Sequence, residues 1–167
     1  MSDFFLELYG RIPPLVHGAV DGLSVEQLTA TVVPESNTIA WLVWHLTRVQ
    51  DHHIAELRGD EQSWVDGTWH GRFGFTAAHS EEHGYGHTPA QVAAVVPDIP
   101  AALTEYHDTV WARTEAYLAG LADEQMADIV DRRWDPPVTR LVRLVSVADD
   151  SLQHVGQAAY LRGLLGK

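Results

Sequence analysis

The residue types best suited to chemistry are Asp150 and His154, four positions apart in Asp149-Asp150-Ser151-Leu152-Gln153-His154. On a helix, four residues turn the chain about 40° past a full circle and rise about 6 Å, so both side chains leave one face and can converge on one ion. Asp149 stands about 140° from His154 on the same wheel and points elsewhere. A third ligand must come from another element. His45, enclosed in Trp41-Leu42-Val43-Trp44-His45-Leu46, is the strongest partner, because so apolar a stretch is no solvated surface. Spacing alone leaves a bland reading open for each residue. A histidine in an apolar helix is commonly a hydrogen-bonded core group, and an aspartate commonly caps a helix or pairs with an arginine. The conjunction is what points to a divalent ion, since bundle cores build metal sites from facing helices.

Other residues are candidates for contact with a substrate. His52 lies on nearly the same face as His45 but about 10 Å further along the axis; that is too far for the same ion but suited to lining a pocket, or to being a polar helix-end histidine. His53 reads as solvated. Arg48 can steer an anionic substrate or pair with Asp51 or Glu56, and the pair is the simpler reading. Tyr85, with Trp64, Trp69 and Phe73, can wall a cavity or merely pack a loop. Arg162 suits an acidic ligand group or a surface carboxylate. His79, His83 and His87 also stand four apart, but Gly84 and Gly86 make a continuous helix there unfavourable, which argues against a second metal site. No catalytic residue is assigned. The chain has no nucleotide-binding glycine loop, nucleophile-elbow serine or His-Glu-x-x-His motif.

Helices must position these groups. Apolar residues recur at three- and four-residue steps from Phe4 to Ala19, with a kink or restart at Pro13-Pro14. A capping box at Ser24-Val25-Glu26-Gln27 opens a short helix. A long helix starts near Ser36 or Asn37 and stops at Gly59. Thr88-Pro89 starts another short one. Further helices are expected over Ile99–Leu118, Asp123–Ile129 and from about Thr139 to Leu165, the last with Leu141, Leu144, Val145, Ala148, Leu152, Val155, Ala159 and Leu161 as its apolar set. Residues 59–88 form a long loop rich in aromatic residues, glycine and histidine, expected to be ordered over one end of the bundle. No run of alternating β-branched residues is long enough for a sheet. The expectation is one all-α domain over 1–167, a four-helix bundle with short accessory helices.

Composition narrows the partners. The 167 residues carry 11 basic and 23 acidic side chains, a net charge of −12, which disfavours nucleic acid and anionic membrane surfaces. With zero cysteines there is no disulfide, thiolate ligand or cysteine nucleophile, so thiol chemistry would need an external thiol. No apolar run approaches the roughly 20 residues of a membrane span, and no secretion signal opens the chain, so a cytoplasmic location is expected.

The segments Trp44-His45-Leu46 and Asp149-Asp150-Ser151-Leu152-Gln153-His154-Val155-Gly156-Gln157 resemble the DinB/YfiT-like superfamily of metal-binding helical bundles, over roughly Phe4 to Leu165. The resemblance is greatest to the actinobacterial branch of mycothiol-dependent maleylpyruvate isomerase and mycothiol S-transferase-like proteins. It implies one ligand from the second long helix and two from the last, here His45, Asp150 and His154. The isomerase-like branch has glutamate at the middle position. Aspartate is one methylene shorter, so either the last helix approaches the ion more closely or Asp150 binds through water. It further implies a divalent metal (Zn²⁺, with Ni²⁺ or Fe²⁺ as alternatives), mycothiol as a cofactor, and transfer or isomerisation of a small electrophilic substrate. Alternatives are a metal-dependent hydrolase without thiol and a non-catalytic, stress-linked metal-binding protein. An apolar helix face leaves room for a homodimer.

Overall fold

The computed structural model describes residues 1–77, 79 and 81–167; Ala78 and Ser80, inside the loop expected over 59–88, lie outside the described residues. The proline pair acts as a restart. Helix α1 (Ser2–Gly10) ends at Arg11 and α2 (Ile12–Val20) begins at once, with the prolines in its first turn, where no N–H is needed. Next comes α3 (Val25–Leu28), held by the Ser24–Gln27 capping box. Helix α4 (Ile39–Arg58) is capped by the Thr38 hydroxyl, slightly later than the serine or asparagine expected, and ends at left-handed Gly59.

The excursion after α4 contains α5 (Ser63–Asp66) and a 3-10 turn over Trp69–Phe73. Then follow α6 (Pro89–Ala93), capped by Thr88, and α7 (Ala101–Ala119). A 3-10 turn over Asp123–Ala127 replaces the expected short helix. Two short antiparallel strands, β1 (Ile129–Asp131) and β2 (Val138–Thr139), correct the expectation of no sheet. They are too short to show alternation in sequence. Helix α8 (Arg140–Leu164) follows directly, capped by the Thr139 hydroxyl.

The bundle's rods are the split α1–α2 pair, α4, α7 and α8. The most extensive packing joins α4 to α8. Helix α4 is buried almost all round, including Trp41, Trp44 and Leu46. The buried seam of α8 is Leu144, Val147, Ala148, Ser151, Val155, Ala158 and Leu161. Val145 and Ala159, expected inside, face solvent; the true stripe runs through small residues that hydropathy under-weights. The Tyr9 hydroxyl donates to the Leu144 carbonyl at 2.7 Å, tying α1 to the start of α8. Among the described residues no helix is long and apolar enough to cross a membrane.

Candidate metal centre

Close packing of α4 on α8 brings His45 against Asp150 and His154. Asp150 Oδ1 lies 3.5 Å from His154 Nε2 and 3.7 Å from His45 Nε2, and one donor atom from each residue lies within 4.8 Å of the others. In a tetrahedral site with roughly 2.0–2.1 Å bonds, donors stand about 3.3 Å apart, so this spacing is near what one ion needs. Two nitrogens and one carboxylate oxygen form a donor set suited to Zn²⁺ or Fe²⁺. Asp150 Oδ2 is buried without a hydrogen-bond partner, a polar atom whose burial calls for a counter-charge. The cluster is thus compatible with a divalent ion. Asp149, by contrast, is exposed and accepts from Gln153.

The far side of each ring is held by an acceptor at Nδ1. His45 Nδ1 contacts the His83 carbonyl, which can only accept, so Nδ1 carries a proton and Nε2 is the nitrogen turned toward Asp150. His154 Nδ1 contacts Gln157 Oε1 at 2.9 Å, leaving its Nε2 turned inward in the same way. Metal-binding histidines are held by such outer hydrogen bonds. Trp41 stacks on His45 with ring centres 4.6 Å apart, fixing the ring plane. Burial opposes ionisation of Asp150, but hydrogen bonds and positive charge from the facing Nε2 of His154 and of His45, when these nitrogens carry a proton, outweigh it and hold its pKa down to about 2. Asp150 in turn raises the pKa of His154, against the effect of burial.

The His83 carbonyl reaches His45 because Gly84 follows it. Gly84 has φ +94°, and a Cβ there would lie 2.8 Å from Trp44 and 3.0 Å from His45 Nδ1. The excursion is fastened from below by α4. Asp51 accepts from the Ser63 and Trp64 backbone N–H groups at 2.9 and 2.8 Å, and from the Tyr106 hydroxyl at 2.8 Å. Arg48 donates to Gln62 Oε1 and to the Glu82 carbonyl, each at 2.9 Å, and pairs with Asp51 at 3.6 Å. One buried guanidinium thereby binds both flanks of the excursion, and the residue after Glu82 is the one that holds His45.

A cavity of about 200 Å³ opens beside the cluster, lined among others by His45, Asp150, His52, His53, His83 and Tyr85. His52 lines it, and the exposed Tyr85 stands at its edge. Arg48 lies in the core beneath the excursion, where its partners include the Asp51 named from sequence. Arg162 lies elsewhere, donating to the Asp21 carbonyl at 2.8 Å. His53 corrects the solvated reading: it is half-buried, 3.4 Å from Arg143, and burial, together with Arg143, lowers its pKa to about 3. His52, His53 and Glu56 form a second cluster of possible ligands, but a cation there would meet the Arg143 guanidinium. Among the described residues His79 joins no such cluster, and His87 is engaged by Trp41 and Glu82. Sequence reasoning missed His83, Gly84 and Gln157 as supports. The signals were Gly-Tyr-Gly beside a histidine, and a glutamine three residues after His154.

Known proteins bear on this site. The family model described as Mycothiol-S-transferase matches residues 15–166. A solved structure described as the conserved protein of locus from Enterococcus faecalis superposes with a TM-score of 0.91 at 32% identity, covering 100% of this chain and 98% of that one. No curated protein matches.

Proposed function

This chain belongs to the mycothiol S-transferase family, and on that premise we propose that His45, Asp150 and His154 hold a divalent ion, Zn²⁺ by preference, at which an external thiol is activated for transfer to a small electrophile. The observation that carries the reading is the convergence of three donor atoms on one cavity, with both imidazoles turned by outer hydrogen bonds to present Nε2. The short spacing of Asp150 to both rings favours direct ligation over a bridging water. Such an ion, when bound, favours the thiolate form of a neighbouring thiol near neutral pH. Asp150, ionised far below neutrality, offsets part of the ionic charge and leaves one positive charge for the thiolate to balance. The chain's lack of cysteine requires the sulfur to come from the ligand. The walls of the cavity, His52 and Tyr85 among them, enclose the electrophile.

The test is elemental analysis of untagged protein together with turnover of mycothiol and a generic electrophile. His45→Ala and His154→Ala should each lose the metal and the activity. Unchanged turnover in both variants overturns the reading, and a rate indifferent to added thiol would assign hydrolysis instead.

A further inference from the structure

A second cleft, of about 550 Å³, lies between the start of α4, the last turns of α8 and the segment that joins α3 to α4. Among the described residues it has no lining residue in common with the reaction cavity. Its lining is mostly apolar: Leu42 and Leu161 are buried there, Val33 joins them, and Tyr160 lines it while 69% exposed. No charged side chain lines it, although charged residues make up 20% of the chain. Clefts of this size with apolar walls and a few polar groups hold small molecules. An ion placed there would lose its hydration without gaining a counter-charge, so the walls select an uncharged ligand.

Gly156 lines the cleft from inside α8, where glycine destabilises a helix relative to alanine. Nothing local demands it: its backbone is helical, and a Cβ there would have nothing within 4 Å. The glycine keeps open a space that the fold itself does not fill. Ser36 lines the cleft from the joining segment, and its hydroxyl is buried with no hydrogen-bond partner, a state that costs free energy until a partner arrives. The carboxamides on α8 are already oriented. Gln153 Nε2 donates to Asp149 Oδ2 at 2.8 Å, which leaves Oε1 to accept. Gln157 Oε1 accepts from His154 Nδ1 at 2.9 Å, which leaves Nε2 to donate. Four residues apart, the two stand on one helix face, about 6 Å from each other along the axis. The wall thus offers one fixed acceptor and one fixed donor.

We propose that this cleft is a second ligand site, for an uncharged, largely apolar small molecule that carries an N–H or carbonyl group. Its apolar body fills the space beside Gly156, against Leu42, Leu161 and the Tyr160 ring. Its polar group pairs with the carboxamide of Gln153 or Gln157. Because Gln157 holds His154 by Nδ1, the nitrogen turned away from the metal cluster, the cleft lies behind that ring. Its ligand is therefore neither the thiol nor the electrophile.

The test titrates the intact protein with N-phenyl-1-naphthylamine, an uncharged fluorescent aromatic amine, and with its anionic 8-sulfonate. The neutral dye should bind saturably, a single dye on each chain, and the sulfonate about tenfold more weakly or not at all. Gly156→Leu fills the space from α8, and Val33→Asp places a charge on the facing segment. Each should weaken binding of the neutral dye by about tenfold or more. Leucine suits a helix better than glycine, and Val33 is 45% exposed, so both variants should fold; circular dichroism verifies this. Wild-type affinity in either folded variant, equal binding of the sulfonate, or no saturable binding to the wild type overturns the proposal. Sedimentation velocity supplies the remaining arm. A wild-type dimer that takes up no dye and that Gly156→Leu splits into protomers also overturns it, and assigns the cleft to a second copy of the chain.

Discussion

Replacing Gly84 with alanine should dismantle the support of His45 without touching an atom of the candidate ligand set. The new Cβ would stand 2.8 Å from Trp44 Cζ3, 3.0 Å from His45 Nδ1 and 3.2 Å from Trp41 Cζ2, at a φ of +94°. The backbone conformation alone costs a side chain about 1–2 kcal/mol. The overlap with packed rings adds about 1–3 kcal/mol. The least costly response is for the chain to lift at residues 83–84, which withdraws the His83 carbonyl from His45 Nδ1. Loss of such an outer contact typically lowers metal affinity by about 10- to 100-fold. Gly86 provides the control, since it has φ +76° but nothing within 4 Å of the place a Cβ would take. Gly86→Ala should therefore show the backbone cost alone. Competition with a chromogenic chelator gives the affinity, and urea unfolding of the apoprotein gives the stability. Equal affinity loss in the two variants, or wild-type affinity in Gly84→Ala, would refute the reasoning.

Asp51→Ala should destabilise the protein by about 3–5 kcal/mol in urea melts, because it leaves Arg48 buried without its carboxylate; a loss under about 1 kcal/mol would show that the clamp is dispensable. Gln157→Leu should weaken metal binding about tenfold while leaving the fold intact by circular dichroism, since it releases His154 Nδ1. Burial depresses the pKa of His107 to about 4, against a raising influence from Asp108, and its Nε2 is buried without a partner. The unfolded chain therefore takes up that proton first. Stability from this group is complete above about pH 6.5 and is lost as pH falls toward 4, amounting to about 3 kcal/mol over that interval. His107→Met should flatten this slope in urea melts run between about pH 7.5 and 4.5, and an unchanged slope would assign the acid sensitivity elsewhere.

The helices and the three converging residues were legible because their signals are local: capping side chains at Ser24 and Thr88, a glycine stop at Gly59, and a four-residue repeat on one helix face. What escaped notice depends on distant segments meeting. Nothing near His45 in the chain announces that the carbonyl of His83 will orient it. Arg48 and Asp51 read as an ordinary pair along one helix, whereas their role comes from the segment that folds down over them. The β1–β2 ribbon was invisible for a different reason: with three and two residues it shows no alternation, and its place is set by Asp131 gripping Arg143 on α8.

His45 and His154 stand far apart in sequence and become neighbours only once α4 and α8 have docked. An unfolded chain keeps Asp150 and His154 close in sequence but has no fixed third donor. An ion captured by all three would recognise the native state almost alone, so its free concentration acts as a folding variable: raising it a hundredfold above the dissociation constant adds about 2.7 kcal/mol to the unfolding free energy. Metal scarcity in the surroundings would then thin the population of folded molecules.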